Sequence, residues 1–272
     1  MAGRSLERLD KILVRRGLAS SRGEAGELIR GGCVAVAGMT RDKPSSMTDS
    51  EASIEVAGAG EKRWVGRGAR KLVKALGFWG VDPKGWDCAD IGASTGGFTH
   101  ALLEYGAARV AAIDVGYGQL AWKLRNDPRV KVMERTNARY VTPGDIGWVS
   151  SLVTVDASFI SLRSLLPNLR RLMSDSGSII ALVKPQFEVG RGRVGRGVVR
   201  DPSLHLEALA GVAEFANASC GLAVRGATYS PILGGEGNIE FIFLLAPEDC
   251  GADSQGDLDF ADLVGEAHSR LR

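Results

Sequence analysis

Asp90-Ile-Gly-Ala-Ser-Thr-Gly-Gly-Phe98 joins a short apolar run, Cys88 to Ile91, to an amphipathic one through Phe98, Leu102 and Leu103. The pattern predicts a strand that turns sharply into a helix through residues with little or no side chain. Gly92, Gly96 and Gly97 let a ligand approach backbone, and the first helical turn offers N–H groups without intrahelical partners. The spacing narrows the ligand. A dinucleotide turn reads G-x-G-x-x-G; here three residues separate Gly92 from Gly96, and Asp90 stands two positions ahead. No Lys-Ser or Lys-Thr follows, so the turn is not a P-loop. An acid beside a small-residue turn suits a ligand with an ammonium group and no phosphate, namely S-adenosylmethionine. Asp90 (for that ammonium group), Gly92, Ala93, Ser94, Gly96, Gly97 and Phe98 are therefore the first candidate cofactor residues. A merely tight strand–helix turn is the competing reading.

Outward from this turn, apolar runs alternate with helical patterns. Strands are predicted at 87–91, 109–113, 130–134, 151–155, 178–183, 223–229 and 239–245. Helices are predicted near 97–105, 118–124, 161–173 and 203–219. Such alternation implies an α/β domain whose mostly parallel, seven-stranded sheet is covered on both faces and binds ligands beyond the C-terminal strand ends. Asp90, Asp114, Asn137, Asp156 and Lys184 fall at those ends. Asp114, 24 positions after Asp90, is placed for ribose hydroxyls; an exposed strand-end carboxylate is the bland alternative. Asn137 could meet an adenine edge or simply close an Asx-turn. From Gln186 to Asp201, Gly190, Gly192, Gly195 and Gly197 interleave with Arg191, Arg193, Arg196 and Arg200, as in a clamp on substrate phosphates or a plain surface loop. A last helix is expected around Leu258, Ala261, Val264 and Leu271, in an acidic tail with no chemistry of its own.

Upstream, Ala57-Gly-Ala-Gly60 marks a boundary, giving domains at 1–60 and 68–272 with a linker over 61–67. Between Glu61 and Lys74 there are six basic residues and one acid, including Arg67, Arg70 and Lys71; Leu72, Val73 and Leu76 give this helix an apolar side, and Lys74 is expected to be a surface charge. Residues 1–60 read as a small α+β domain. Leu9, Ile12 and Leu13 recur at helical spacing, Ser21 and Glu24 form a capping box for a second helix with Leu28 and Ile29, and short strands follow at 33–36 and 53–56. Arg8, Lys11 and Arg15 lie on a separate stripe of the first helix, which is a solvated face or a nucleic-acid contact.

Composition bounds the classes. The 272 residues, 44% of them hydrophobic, suffice for one sizeable core and a small second domain. A formal net charge of +2 is too small to argue nucleic-acid binding except from local clusters. Cys33, Cys88, Cys220 and Cys250 lie far apart without a C-x-x-C pair, which disfavours zinc or a disulfide framework, suits a reducing cytoplasm and leaves no metal expected. The charged N-terminus does not resemble a signal peptide, and the longest apolar runs, at 179–183 and 241–246, are strand-length. A soluble, cytoplasmic protein is the expectation.

Two resemblances add to this. Arg8-Leu-Asp-Lys-Ile-Leu-Val-Arg-Arg-Gly-Leu-Ala19, Ser21-Arg22 and Leu28-Ile-Arg-Gly-Gly-x-Val34-x-Val36-x-Gly38 resemble the RNA-binding domain of ribosomal protein S-four. That implies RNA contacts by Arg8, Lys11, Arg15, Arg22 and Arg30; Cys33 departs from the basic or polar residue usual there, so one phosphate contact is missing. Asp90–Phe98, Asp114-Val-Gly-Tyr-Gly-Gln-Leu120, Arg135-Thr-Asn137, Asp156-x-Ser-Phe-Ile-Ser-Leu162, Val183-Lys-Pro-Gln-Phe-Glu188 and Gly237-Asn-x-Glu240 resemble the TlyA-type, haemolysin A-like proteins. These are similar to the FtsJ-like ribose 2'-O-methyltransferases, whose Lys-Asp-Lys-Glu set falls here on Lys71, Asp156, Lys184 and Glu240.

The resemblance implies a Rossmann-like methyltransferase that uses S-adenosylmethionine to methylate a cytidine ribose in ribosomal RNA of the small or large subunit. Arg67, Arg70, Arg191, Arg193 and Arg196 join the candidate RNA contacts. An ordinary lysine, with a pKa of about 10.4, is cationic at pH 7, so Lys184 is expected to orient the hydroxyl and stabilise oxyanion character, with proton acceptance as the alternative. Two rivals remain: a membrane-active haemolysin, which needs an apolar or strongly amphipathic exposed segment not found here, and a non-catalytic RNA-binding assembly factor, disfavoured by the four intact positions. The residues do not set an oligomeric state.

Overall fold

A computed structural model of the chain describes residues 5–19, 21–56, 64–195, 197–249 and 258–271. The chain divides into two compact units at Ala69 and Arg70. In the first, β1 (Leu6–Arg8) leads into α1 (Leu9–Arg15), followed by α2 (Arg22–Arg30), β2 (Val34–Val36), β3 (Met39–Arg41), β4 (Met47–Asp49) and β5 (Ile54–Val56). Ser21 caps α2 by accepting the Glu24 N–H at 3.1 Å. The apolar stripes of both helices meet Val34 and Val36 in one small core with Leu9, Leu13, Leu28 and Ile29. β3-β2-β5 form an antiparallel sheet, and β1 pairs with β4.

The second unit begins with α3 (Ala69–Trp79), whose first residue lies at the division, and continues through β6 (Asp87–Ile91), α4 (Gly97–Glu104), β7 (Arg109–Ile113), α5 (Trp122–Arg125), β8 (Val130–Met133), α6 (Pro143–Ile146), β9 (Ser150–Val155), α7 (Leu166–Leu172), β10 (Met173–Val183), α8 (Pro185–Glu188), α9 (Pro202–Cys220), β11 (Leu222–Tyr229), β12 (Phe241–Pro247) and α10 (Phe260–Leu271). The seven-stranded sheet runs β11-β12-β10-β9-β6-β7-β8, parallel from β10 to β8, with β12 antiparallel to both its neighbours. Side chains alternate between the faces of a strand. Ala89, Ile113, Val153 and Phe243 are buried in the main core, and the alternate set, Cys88, Val110, Leu152, Ile180 and Ile242, is equally buried. Both faces are covered, as the near-continuous apolar strands require.

Several boundaries differ from expectation. The predicted helix at 118–124 is only α5, because Asp114 and Gln119 hold 116–119 in a turn. The predicted helix at 161–173 opens as a 3-10 turn, Leu162–Ser164, before α7. β10 starts five residues early through a polar, irregularly paired stretch in which Met173 meets Ser150.

Candidate active site

Gly92 follows β6 at φ +80, where a Cβ would lie 2.8 Å from the Asp156 carbonyl oxygen and 3.0 Å from Ala157 backbone. Only glycine lets the turn pass so close to the end of β9. Gly96, at φ +95, is the N-cap of α4, and a Cβ there would overlap Leu120 and Leu124. Ser94, itself at φ +47, donates its N–H to Asp114 Oδ2 at 2.8 Å, and Gly116 donates to Asp114 Oδ1 at 2.6 Å.

These turns border a cleft of about 580 Å³, lined by Gly92, Ser94, Asp114, Asn137, Asp156 and Ser158 among others. That volume is ordinary for a small-molecule site. Not every expected residue faces it. Gly96, Gly97 and Phe98 lie behind the lining as the buried start of α4, and Ala93 opens only onto a narrow crevice with Gln119 and Leu120. Asn137 combines both of its readings: it lines the cleft, and its Oδ1 accepts the Arg139 N–H at 3.1 Å in an Asx-turn.

Asp90 is the main correction. It does not line the cleft. Its carboxylate is fully buried, with Oδ2 accepting from Thr99 N at 2.8 Å and Thr99 Oγ1 at 2.6 Å, and Oδ1 accepting from Thr154 Oγ1 at 3.1 Å. It fastens α4 to β6 and β9. Burial pushes its pKa up to about 7, against the pull of the Thr99 and Thr154 hydrogen bonds.

Beside the cleft stand four charges. Asp156 follows β9, Lys184 follows β10 and Glu240 precedes β12. The pairings Ala181↔Val155 and Val183↔Phe241 bring those three residues to one end of the sheet. Lys71 reaches them from α3, whose Leu72, Ala75 and Leu76 are buried. Lys71 Nζ lies 2.7 Å from Glu240 Oε2 and 3.2 Å from Asp156 Oδ2. Lys184 Nζ lies 2.6 Å from Asp156 Oδ1, 2.9 Å from Ser158 Oγ and 4.0 Å from Glu240 Oε1. Burial would lower the Lys71 pKa, but Asp156 and Glu240 outweigh it and hold the ammonium above its ordinary value. Burial would likewise raise Asp156, yet Lys71 and Lys184 keep it ionised, below the usual carboxylate range. Two cations and two anions cancel, which is what makes such a cluster tolerable in the interior.

Sequence reasoning missed Ser158, which both lines the cleft and accepts from Lys184, and missed the struts Thr99 and Thr154. A hydroxyl residue two positions after a strand-end Asp was the available signal. Phe159, with φ +64 and 93% exposed at the rim, packs its ring 5.5 Å from that of Phe187.

The candidate RNA contacts divide. Arg8 and Arg22 clasp the buried Asp10 at 2.8 and 2.9 Å, and Arg8 first among them holds that carboxyl far below its usual range. Arg15 pairs with Glu7 at 3.2 Å and Arg67 with Asp42 at 3.6 Å. Lys11, Arg30 and Arg70 are exposed and have no ion pair among the described residues. In the glycine–arginine loop, Arg193 is bidentate to Glu207 (2.8 Å for Nη2–Oε2), Arg191 opens a 3-10 turn, and Arg196 lies outside the described residues. Asn238 pins the loop through Val199 N at 3.0 Å and Gly197 O at 2.8 Å, so the loop is tied down more than a mobile clamp would be. Among the described residues no His, Cys, Asp and Glu group is placed to hold a metal ion.

The FtsJ-like methyltransferase profile matches residues 64–246 and the S4 domain profile matches residues 7–52. The 16S/23S rRNA (cytidine-2'-O)-methyltransferase TlyA of Mycobacterium tuberculosis is 49% identical over 251 residues, 92% of this chain and 93% of the relative. Hemolysin A of Brachyspira hyodysenteriae is 38% identical over 238 residues, 86% of this chain and 98% of its own. A solved structure from Streptococcus thermophilus, described as a hemolysin, superposes with a TM-score of 0.76 at 39% identity over 98% of each chain.

Proposed function

The chain belongs to the FtsJ-like methyltransferase family and carries an S4 domain ahead of its catalytic one, and from that premise we propose that it methylates the 2'-hydroxyl of a cytidine in ribosomal RNA. The observation that carries this is Asp156, which belongs at once to the wall of the cleft and to the Lys71–Lys184–Glu240 charge cluster. A donor site and a hydroxyl-handling site share one side chain.

S-adenosylmethionine, when bound, supplies an electrophilic methyl on a sulfonium. The lining suits it: Asp114 keeps lone pairs that would take a ribose diol after accepting two backbone N–H groups, Asn137 also lines the cleft, and Asp156 would supply a negative charge for the sulfonium. A 2'-hydroxyl is a poor nucleophile, so alignment and control of its proton are the residues' tasks. Lys184 Nζ, fixed between Asp156 and Ser158, would donate to the 2'-oxygen and stabilise the negative charge that grows there, and the hydroxyl proton would leave to solvent. Lys71 holds Asp156 and Glu240 apart at fixed distances, so the carboxylates orient the lysines and do not collapse onto one of them. The S4 domain anchors the RNA, with Lys11 and Arg30, exposed and without an ion pair among the described residues, as contacts. The relatives named hemolysins suggest membrane activity, but no helix among the described residues is long and apolar enough to cross a membrane.

Tritium transfer from S-adenosylmethionine to isolated 30S and 50S subunits tests the proposal, with primer extension to map the nucleotide. Incorporation into RNA that is lost in Lys184→Ala, with S-adenosylhomocysteine binding retained, is the expected result. No incorporation into either subunit by the wild-type protein would overturn it.

A further inference from the structure

Lys74, expected from sequence to be a surface charge, is half-buried and committed. Its Nζ donates to the Tyr229 carbonyl oxygen at 2.6 Å and sits 3.6 Å from the centre of the Tyr229 ring. Tyr229 ends β11 and pairs with Phe241, the residue after Glu240. The next residue, Ser230, is fully buried and donates its N–H to the Glu240 carbonyl at 2.8 Å. Lys74 is three residues from Lys71 on α3, so both lysines lie on neighbouring turns of one helix face. One lysine holds the Glu240 side chain, and the other grips the strand end that holds the Glu240 backbone.

We propose that Lys74 is a positioning residue: by bolting α3 to Tyr229, it sets the distance between the Lys71 ammonium and Glu240. The contact is chemically demanding. The carbonyl that ends β11 accepts a charged donor, and the ring face beside it favours a compact cation. Burial lowers the Lys74 pKa, opposed by Glu266, which faces the same place and accepts the Tyr229 hydroxyl at 3.2 Å. Glu266 extends the bolt to α10.

The inference rests on the methyltransferase reading, so its test has two arms. In 15N spectra of the lysine ammonium groups, assigned with Lys71→Met and Lys184→Met, Lys74→Met shifts or broadens the Lys71 signal and leaves that of Lys184 in place. An unchanged Lys71 signal overturns the proposal whether or not the protein transfers methyl groups. In the activity arm, Lys74→Met lowers kcat at least tenfold, leaves KM for S-adenosylmethionine within threefold, and is partly rescued by Lys74→Arg. A kcat within twofold of wild type, or a loss that only tracks the fraction unfolded, also overturns it. Absence of transfer in wild type with a perturbed Lys71 signal sinks the function and keeps the bolt.

Discussion

Replacing Asp90 with Asn separates a structural strut from a cofactor ligand. Asn keeps one oxygen to accept from Thr99 N and Oγ1, and its amide can donate to Thr154 Oγ1 once that hydroxyl turns. What changes is the charge. In the unfolded chain an Asp titrates near 3.8, whereas buried Asp90 is pushed up to about 7. A raised carboxyl binds more protons folded than unfolded, so the wild type loses stability as pH climbs from about 4 to about 7, and the loss is complete above the folded value. Between pH 5 and pH 8 that is on the order of 3 kcal/mol, which Asn does not pay. The gap in melting temperature between Asp90→Asn and wild type should therefore widen in the variant's favour by roughly 6–12 °C from pH 5 to pH 8, at 2–4 °C per kcal/mol for a domain of this size. Scanning calorimetry across that range measures it, and titration with S-adenosylhomocysteine at pH 7.5 should give a Kd within threefold of wild type. A gap that does not move with pH, together with a Kd raised tenfold or more, would mean that Asp90 faces the ligand and that the strut reasoning is wrong.

Three more outcomes follow from the same geometry. A Cβ at Gly234 would overlap the Glu240 carboxylate and come within 2.9 Å of its Cγ, so Gly234→Ala should cut kcat by about a hundredfold by dislodging Glu240 from Lys71; Gly235→Ala, with nothing within 4 Å, should be silent in the same assay. Lys71→Met leaves Glu240, 2% exposed, with Lys184 at 4.0 Å as its nearest cation; the uncompensated charge should cost about 3–5 kcal/mol in denaturant unfolding, and Lys71→Met/Glu240→Gln should recover most of it. In the S4 domain, Lys11→Gln and Arg30→Gln should each flatten the dependence of log K on log salt for ribosomal RNA by about 0.7–0.9. Arg8→Gln should instead lower the melting temperature, because Arg8 is spent on Asp10.

The sheet was legible because its strands are written in apolar, small or β-branched residues bounded by glycine and charge. The stretches 87–91 and 109–113 coincide with β6 and β7 to the residue. What stayed hidden was held by pairing alone. β1, β3 and β4 are three residues each and carry polar side chains such as Glu7, Thr40 and Thr48, so neither length nor periodicity marks them. The polar start of β10, Met173 to Ser178, is a strand only because Ser150 and Leu152 lie alongside it. A chain whose local preferences are weak takes the conformation its neighbours impose.

Within the site, residue type at a strand end was a good guide to place and a poor guide to direction. Asp90 and Asp156 look alike on paper: each is an acid near the end of a parallel strand, ahead of small residues. They differ by two positions along the sheet: Asp90 stands level with Thr154, and Asp156 lies beyond the last pair, Ile91 with Val155. Asp90 lies inside β6, whose last residue is Ile91, and turns to Thr154 on β9 and to the first turn of α4; Asp156 lies just beyond Val155, the last residue of β9, where its N–H still donates to the Ile91 carbonyl at 2.9 Å and its carboxylate turns to Lys71 and Lys184. The first carboxylate is dry and fastens the fold, and the second meets two lysines and the cleft. Which acid borders the cleft therefore depends on whether it lies within the paired strand or beyond it, an alignment that no stretch of sequence around either acid contains.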